Sequence, residues 1–192
     1  MILQDFVYSK NYWDEAANTD PFARILSKYN QEKFWATQPK IQGLTKDMIF
    51  LDFGCGIGRI VRTVAPLVKE YWGVDASKGM IEKAKDYHVD YDNVQFFVNN
   101  GSDLSIFKDN TFDFVYSCLV FIHVSKEDIR KYVREIHRVL KSGGIYHSQN
   151  FPRQKMYANG FLLSEVQKLF RIFEKVVIQR SGAWYHLIRS QK

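Results

Sequence analysis

The chain has 192 residues, of which 46% are hydrophobic and 25% are charged, and its formal net charge is +6. This length suits one domain, and the composition supports a substantial core and excludes the disordered class. No stretch approaches the roughly eighteen apolar residues of a membrane span, and the first residues lack a signal-peptide pattern, so we expect a cytoplasmic protein without a membrane partner. The positive charge leaves nucleic acid open as a partner, although no mixture of basic and exposed aromatic residues favours it.

The cysteines and histidines indicate neither a metal site nor a disulfide framework. Cys55 and Cys118 lie far apart and form no CxxC pair, so we expect two reduced thiols. No His/Cys/Asp cluster has metal-ligand spacing, and no Ser-His-Asp order indicates hydrolysis. We therefore predict no metal.

The sequence divides into an N-terminal segment, 1–46, and a core, 47–192. The first segment is polar and aromatic and reads as mainly helical from Phe6 to Gln42, with a helix start at Asp20-Pro21. We interpret it as a helical cap on the core of one structural domain.

Apolar runs alternate with helical patterns along the core. The predicted strands are 48–53, 71–74, 94–98, 112–118, 145–151, 175–180 and 184–189. The predicted helices are 57–68, 77–86, 164–173 and a long one capped by Ser125 with Asp128 and ended by Gly143 and Gly144. This order predicts an α/β fold whose doubly wound, mainly parallel seven-stranded sheet has helices on both faces. Ser181-Gly182 predicts a C-terminal antiparallel hairpin.

A glycine loop, Gly54-Cys55-Gly56-Ile57-Gly58-Arg59, follows the first strand and opens a helix. Glycines there allow a tight turn and a close approach of the backbone to a ligand. The dinucleotide fingerprint would need a glycine where Arg59 stands. A tight turn without any ligand is the alternative interpretation.

An acid, Asp75, ends the second strand about twenty residues later, where a carboxylate accepts hydrogen bonds from ribose hydroxyls. The alternative for such an acid is a helix cap, which Ser77 could supply instead. Together the glycine loop and Asp75 predict a site for a nucleoside cofactor.

Five ordered segments resemble motifs of class I S-adenosylmethionine-dependent methyltransferases of the small, metabolite-methylating kind. They are LDFGCGIGR (Leu51 to Arg59), VDAS (Val74 to Ser77), NNGSDLS (Asn99 to Ser105), FDFVYSCLVFIHV (Phe112 to Val124) and VLKSGGIY (Val139 to Tyr146). The resemblance covers about residues 47 to 151. It implies a Rossmann-like fold and S-adenosyl-L-methionine as the cofactor.

The resemblance also implies a set of cofactor-binding residues. They are Tyr12, Trp13, Gly54, Cys55, Gly56, Gly58, Arg59, Asp75, Ala76, Ser77, Met80, Asn100, Gly101, Ser102, Cys118 and Leu119. The three glycines would line the methionine and ribose end, Asp75 would hold the ribose, and Cys118 and Leu119 would lie near the sulfonium.

Two parts of this set have alternatives. Asn100, Gly101 and Ser102 would edge the adenine pocket, but many relatives carry aspartate where Asn100 stands, so Asp103 could serve instead. Tyr12-Trp13 resembles an aromatic pair that closes over the cofactor, and core packing is the alternative.

His123, just after the fourth strand, is the candidate catalytic residue. A neutral imidazole with a pKa of about 6.5 could take the proton of a hydroxyl acceptor. The alternative is a pocket wall that moves no proton. The short stretch 152–161 leaves room for only a small lid, so we expect O- or N-methylation of a small molecule or sugar. An RNA or protein methyltransferase and a non-catalytic S-adenosylmethionine-binding protein remain the alternatives.

Overall fold

An open β-sheet organises the chain in the computed structural model, which describes residues 10–18, 41–121, 123–150, 163–181 and 185–192. The strands are β1 (Ile49–Phe53), β2 (Glu70–Asp75), β3 (Val94–Val98), β4 (Phe112–Cys118), β5 (Leu140–Asn150), β6 (Lys175–Ser181) and β7 (Tyr185–Gln191). The helices are α1 (Lys10–Asn18), α2 (Val61–Val64), α3 (Lys78–Tyr87), α4 (Lys126–Val139) and α5 (Leu163–Leu169). Short 3₁₀ turns follow α2 at Ala65–Leu67 and α5 at Phe170–Ile172.

The strand order is β3-β2-β1-β4-β5-β7-β6. The first five strands pair in parallel, with β1 at the centre between β2 and β4. The predicted α/β Rossmann-like fold with a parallel sheet is therefore confirmed. β7 pairs antiparallel with both β5 and β6. The connection at 182–184 lies outside the described residues, so the hairpin turn stays a prediction.

The buried residues form two main clusters, one on each face of the sheet. One cluster joins Leu51, Phe53 and Val115 to the apolar side of α4 and to Phe170 and Phe173. The other joins Phe50, Phe114 and Tyr116 to α2. Alternate residues of β1 thus enter opposite clusters, as the period of two in a strand requires.

The helix predicted at 57–68 is wrong in length. Residues 57–60 form a turn, and the α-helix covers only Val61–Val64 before the 3₁₀ turn. Pro66 explains the early end, because it has no N–H with which to continue the helical ladder.

The predicted end of the long helix at Gly143 and Gly144 is also wrong. α4 ends at Val139, and β5 begins at the next residue. The register between β4 and β5 shifts between Phe112 and Phe114, so the extra residues form an irregularity in the ladder. Gly143 has φ +78°. The two glycines thus serve a strand bulge and not a helix cap.

The connection between β3 and β4 is pinned to α4 by Arg138. Its guanidinium donates to Glu135, to Asp109 (2.6 Å), and to the carbonyl oxygens of Leu104 (3.0 Å) and Phe107 (2.9 Å). The Glu135 carboxylate accepts the backbone N–H of Leu104 at 3.1 Å. Hydrogen bonds between a side chain and the backbone therefore hold this connection, which contains no helix.

The N-terminal segment is described only at 10–18, so the helix start at Asp20-Pro21 and most of the proposed cap lie outside the described residues. The 152–161 stretch and Phe151 lie outside them as well. α1 packs against α3, where Ala16 and Ala17 meet Met80 and Ile57. Among the described residues no helix is both long and apolar enough to cross a membrane.

Candidate active site

A cavity of about 450 Å³ opens beyond the carboxyl ends of β1, β2 and β4. Two walls enclose it. We define the β1–β2 wall by Gly54, Gly56, Arg59, Asp75, Ala76 and Met80, and the β4–α4 wall by Cys118, Leu119, Val120, His123, Val124, Ser125, Asp128 and Tyr132. Such a crevice is where open α/β sheets bind ligands.

The glycine loop turns away from β1 while bonded to β2. The backbone N–H groups of Gly54 and Cys55 donate to the carbonyl oxygen of Val74 at 2.8 and 3.1 Å. Gly54 has φ +73°, and a Cβ there would lie 2.4 Å from Cγ2 of Val120. Only glycine meets both conditions, so the two walls touch at this position.

Asp75 links the two loops of the β1–β2 wall. One carboxylate oxygen accepts the N–H of Gly56 and the other accepts the N–H of Ser77, each at 2.9 Å. Burial raises the pKa of Asp75, and the bonds from Ser77 and Gly56 oppose that rise. Each oxygen keeps further acceptor capacity. A Cβ on Gly56 would meet nothing within 4 Å, so space for a ligand adjoins this carboxylate.

α1 is attached to the same wall by one carboxylate. Oδ1 of Asp14 accepts the Ser77 hydroxyl at 2.6 Å and the backbone N–H of Gly79 at 3.2 Å. Ser77 also caps α3 by accepting the N–H of Met80, the role that the sequence left open for it as an alternative to Asp75. The role of Asp14 was missed, since no pattern in the sequence shows where α1 would dock.

The aromatic pair divides between cavity and surface. Trp13 lines the cavity and contacts the His123 ring edge to face, with 5.0 Å between centroids. Tyr12 packs on Trp13 but is 39% exposed and does not line the cavity. The geometry therefore gives Trp13 alone a place at the site.

The loop after β3 places Asn99 and not Asn100 in the cavity wall. The side-chain oxygen of Asn100 accepts the backbone N–H groups of Ser102 and Asp103 at 2.8 and 3.0 Å, which makes a local turn. Asn99 is buried, and its side-chain amide donates to the carbonyl oxygen of Asp103 at 2.9 Å. Gly101 also lines the cavity.

The β4–α4 wall offers little proton chemistry. Burial lowers the pKa of His123 to about 4, well below the 6.5 assumed from the sequence, so its imidazole is neutral at neutral pH. Burial also raises the pKa of Cys118 to about 11, which keeps the thiol protonated. Tyr132 packs on Phe53, with 4.6 Å between ring centroids. Apart from the Asp128 carboxylate, the residues that define this wall therefore carry no charge at neutral pH.

The structure brings most of the predicted site residues to the cavity. Those in its walls are Trp13, Gly54, Gly56, Arg59, Asp75, Ala76, Met80, Gly101, Cys118, Leu119 and His123. Those away from its walls are Tyr12, Cys55, Gly58, Ser77, Asn100 and Ser102. Gly58 instead faces His88, which would lie 2.9 Å from an added Cβ.

Sequence reasoning missed several wall residues. They are Phe53, Ile57, Val74, Asn99, Val120, Val124, Ser125, Asp128 and Tyr132. Ser125, Asp128 and Tyr132 lie at helical spacing, which was a usable signal, but we read it only as a cap and a core face. Among the described residues no group of three His, Cys, Asp or Glu side chains could hold a metal ion.

Comparisons with known proteins identify the kind of enzyme to which this site belongs. Residues 51–147 match a family model described as a methyltransferase domain. The chain is 33% identical over 135 residues to the uncharacterized methyltransferase YcgJ of Bacillus subtilis, and the matched region covers 66% of this chain and 52% of that protein. It is 26% identical over 144 residues to phosphoethanolamine N-methyltransferase 3 of Arabidopsis thaliana, covering 70% and 29%. The chain therefore spans about half of the first relative and less than a third of the second.

A solved structure shares the fold. The chain superposes with a TM-score of 0.72 on a chain of the complex between the Haloferax volcanii Trm112 methyltransferase activator and a putative methyltransferase. The two chains are 17% identical, and the match covers 93% of this chain and 96% of the other. At this identity the likeness concerns the fold alone.

Proposed function

The chain belongs to the class I S-adenosylmethionine-dependent methyltransferases, and on that premise we propose that it binds S-adenosylmethionine and methylates a small molecule. The observation that carries the proposal is the hydrogen bond from Gly56 to Asp75 in the cavity wall. It joins the glycine loop to the acid at the point where a nucleoside would lie. One relative is named for phosphoethanolamine, a small acceptor, which supports the acceptor class.

The described residues fit the cofactor. The Asp75 carboxylate can accept the ribose hydroxyls beside the open space at Gly56. Asn99 and Gly101 border the adenine end in this proposal, in place of Asn100, whose oxygen serves the local turn. Cys118 and Leu119 would border the sulfonium, and Arg59 would add a cation for the methionine carboxylate, since all three line the cavity.

The protein's contribution to the reaction is alignment and exclusion of water. S-adenosylmethionine supplies an electrophilic methyl group on a sulfonium when bound. The acceptor's lone pair would take this methyl group, and the electrons of the broken carbon–sulfur bond would stay on sulfur. Trp13 and Val120 line the cavity with apolar surface, which would disfavour water beside the methyl group.

His123 is proposed as a polar wall that orients the acceptor. With a pKa of about 4 its imidazole is a weak base, so it takes a proton from a hydroxyl poorly. This favours an acceptor that is nucleophilic without help, such as an amine in its neutral form.

Binding and turnover test the proposal separately. S-adenosylhomocysteine at a hundredfold over its Kd should add about 2.7 kcal/mol of stability, which is roughly 5 to 11 °C in melting temperature, whereas NAD should add none. Stabilisation by NAD alone would contradict the cofactor assignment. Transfer of a labelled methyl group to a panel of small amines and hydroxyl compounds tests the activity. Binding with no transfer to any acceptor would leave the non-catalytic interpretation standing.

A further inference from the structure

Leu119, directly after β4, has a backbone conformation that leucine rarely adopts. Its φ is +62°, and among the described residues Asn110 is the other non-glycine residue with positive φ, at +53°. Asparagine tolerates the left-handed region, whereas a leucine side chain crowds the backbone there. Such strain persists only where the surroundings hold it, and it concentrates at functional sites.

The surroundings of Leu119 hold it from two sides. Its N–H donates to the carbonyl oxygen of Gln149 at 2.8 Å, which extends the ladder to β5 by one residue. Its side chain packs against the cluster on the α2 face, whereas Val120 packs against the cluster on the α4 face. The chain therefore changes direction at Leu119 and places Val120 against Gly54.

The residues after this turn build the cavity wall. The carbonyl oxygen of Val120 accepts the N–H of His123 at 3.0 Å, and the His123 ring meets Trp13. We infer that Leu119 is a positioning residue for methyl transfer, whose left-handed backbone sets Val120 against the glycine loop. This inference rests on the proposed function. The placement of Val120 depends on the backbone conformation of Leu119, whatever its side chain contributes to the cavity lining.

Three substitutions separate backbone from side chain. Leu119→Asn and Leu119→Gly discard the apolar side chain but accept positive φ, whereas Leu119→Val keeps an apolar side chain that resists positive φ. We expect Leu119→Val to lower kcat by about 10- to 100-fold, because a misplacement of about 1 Å costs that much. The Asn and Gly variants retain the turn and lose only the side-chain contact with the cavity, so they should lose less than about tenfold in kcat and stay faster than Leu119→Val. Calorimetry with S-adenosylhomocysteine should show a smaller change in Kd than in kcat for Leu119→Val.

A matched control carries the same backbone penalty away from the cavity. Asn110 lies in the turn before β4, where its N–H donates to the carbonyl oxygen of Arg138. Asn110→Val should lower the melting temperature and leave kcat unchanged. If Leu119→Val does not fold, a loss of less than about tenfold in the kcat of the Asn and Gly variants still supports the inference.

The possible failures are distinguishable. If wild type turns over but Leu119→Asn and Leu119→Gly lose more than about tenfold in kcat, the inference is wrong and the proposed function still stands. A Leu119→Val variant with normal kcat would lead to the same conclusion. Absence of any methyl transfer by wild type would overturn the proposed function and the inference with it.

Discussion

The β1–β2 wall is held by hydrogen bonds between backbone groups and one carboxylate, whereas the β4–α4 wall combines a strained turn with apolar and polar side chains in equal number. In the first wall, Asp75 accepts from two loops, and Asp14 ties α1 to the same place. In the second, Val120, Val124 and Tyr132 present uncharged surface. Hydrogen bonds that involve the backbone suit a ligand that is always the same, such as a cofactor. Side chains can be replaced by mutation, so a wall made of them suits a ligand that differs from one protein to another, such as a methyl acceptor. The predictions below test this division.

The largest effect is expected where the walls touch. Gly54→Ala should lower the free energy of unfolding by about 2 to 5 kcal/mol, because it adds positive-φ strain and overpacking against Val120. Gly56→Ala is the control. It has positive φ but open space at its Cβ, so it should cost only about 1 to 2 kcal/mol. Urea unfolding measures both, and equal losses would mean that the contact between the walls contributes nothing.

Asp75→Ala should weaken binding of S-adenosylhomocysteine by about 1.5 to 3 kcal/mol, the range for hydrogen bonds to a charged group. Asp92→Ala, an exposed acid before β3, is the control and should leave affinity unchanged. Calorimetry gives both values. Unchanged affinity in Asp75→Ala would make this carboxylate a loop tie only.

The free energy of unfolding should depend on pH with opposite sign through Asp52, in β1, and through His123, in the β4–α4 wall. Burial raises the pKa of Asp52 from 3.8 to about 7 despite the hydrogen bond from Tyr71, so its contribution to stability is full below 3.8 and is lost as pH rises toward 7. The pKa of His123 falls from 6.5 to about 4, so its contribution is full above 6.5 and is lost as pH falls toward 4.

Asp52→Asn and His123→Gln remove these two titrations. From about pH 4.5 to 7, Asp52→Asn should gain roughly 2 to 3 kcal/mol relative to wild type, whereas His123→Gln should lose a similar amount. Urea unfolding across this range measures both differences. Parallel slopes in the two variants would refute the assigned signs.

The smallest effect is expected for Tyr132→Phe. Its hydroxyl accepts from the side-chain amide of Asn99 at 3.5 Å, which is a long bond, while the ring keeps its packing on Phe53. We expect a loss of about 0.5 kcal/mol in the free energy of unfolding. A loss as large as that of Gly54→Ala would show that polar contacts dominate the β4–α4 wall too.

The sequence predicted the β1–β2 wall better than the β4–α4 wall for a physical reason. Gly56 and Asp75 follow neighbouring parallel strands, and the carboxyl ends of such strands meet at one edge of the sheet. Val120 and Tyr132 reach the cavity only through packing between distant segments, which periodicity does not show. Asp14 likewise bonds to Ser77, 63 residues away, through a docking that no local pattern encodes.

The errors in the secondary structure also have local causes. Pro66 contained the signal that ends α2, but the apolar spacing around it favoured a longer helix. Gly143 and Gly144 were read as a helix end because glycine pairs commonly follow helices. The structure has no loop between α4 and β5, since Leu140 both caps the helix and begins the strand.

The attachment of the β3–β4 connection to Arg138 has a consequence for local opening. Amide hydrogens in loops ordinarily exchange with solvent through small, frequent fluctuations, whereas those in packed helices need a larger cooperative opening. The amide of Leu104 is bonded to Glu135, and the carbonyl oxygens of Leu104 and Phe107 are bonded to Arg138, both on α4. This segment cannot open unless its bonds to the helix break. In hydrogen exchange, Leu104 should therefore be protected like a residue of α4, although it lies in a loop.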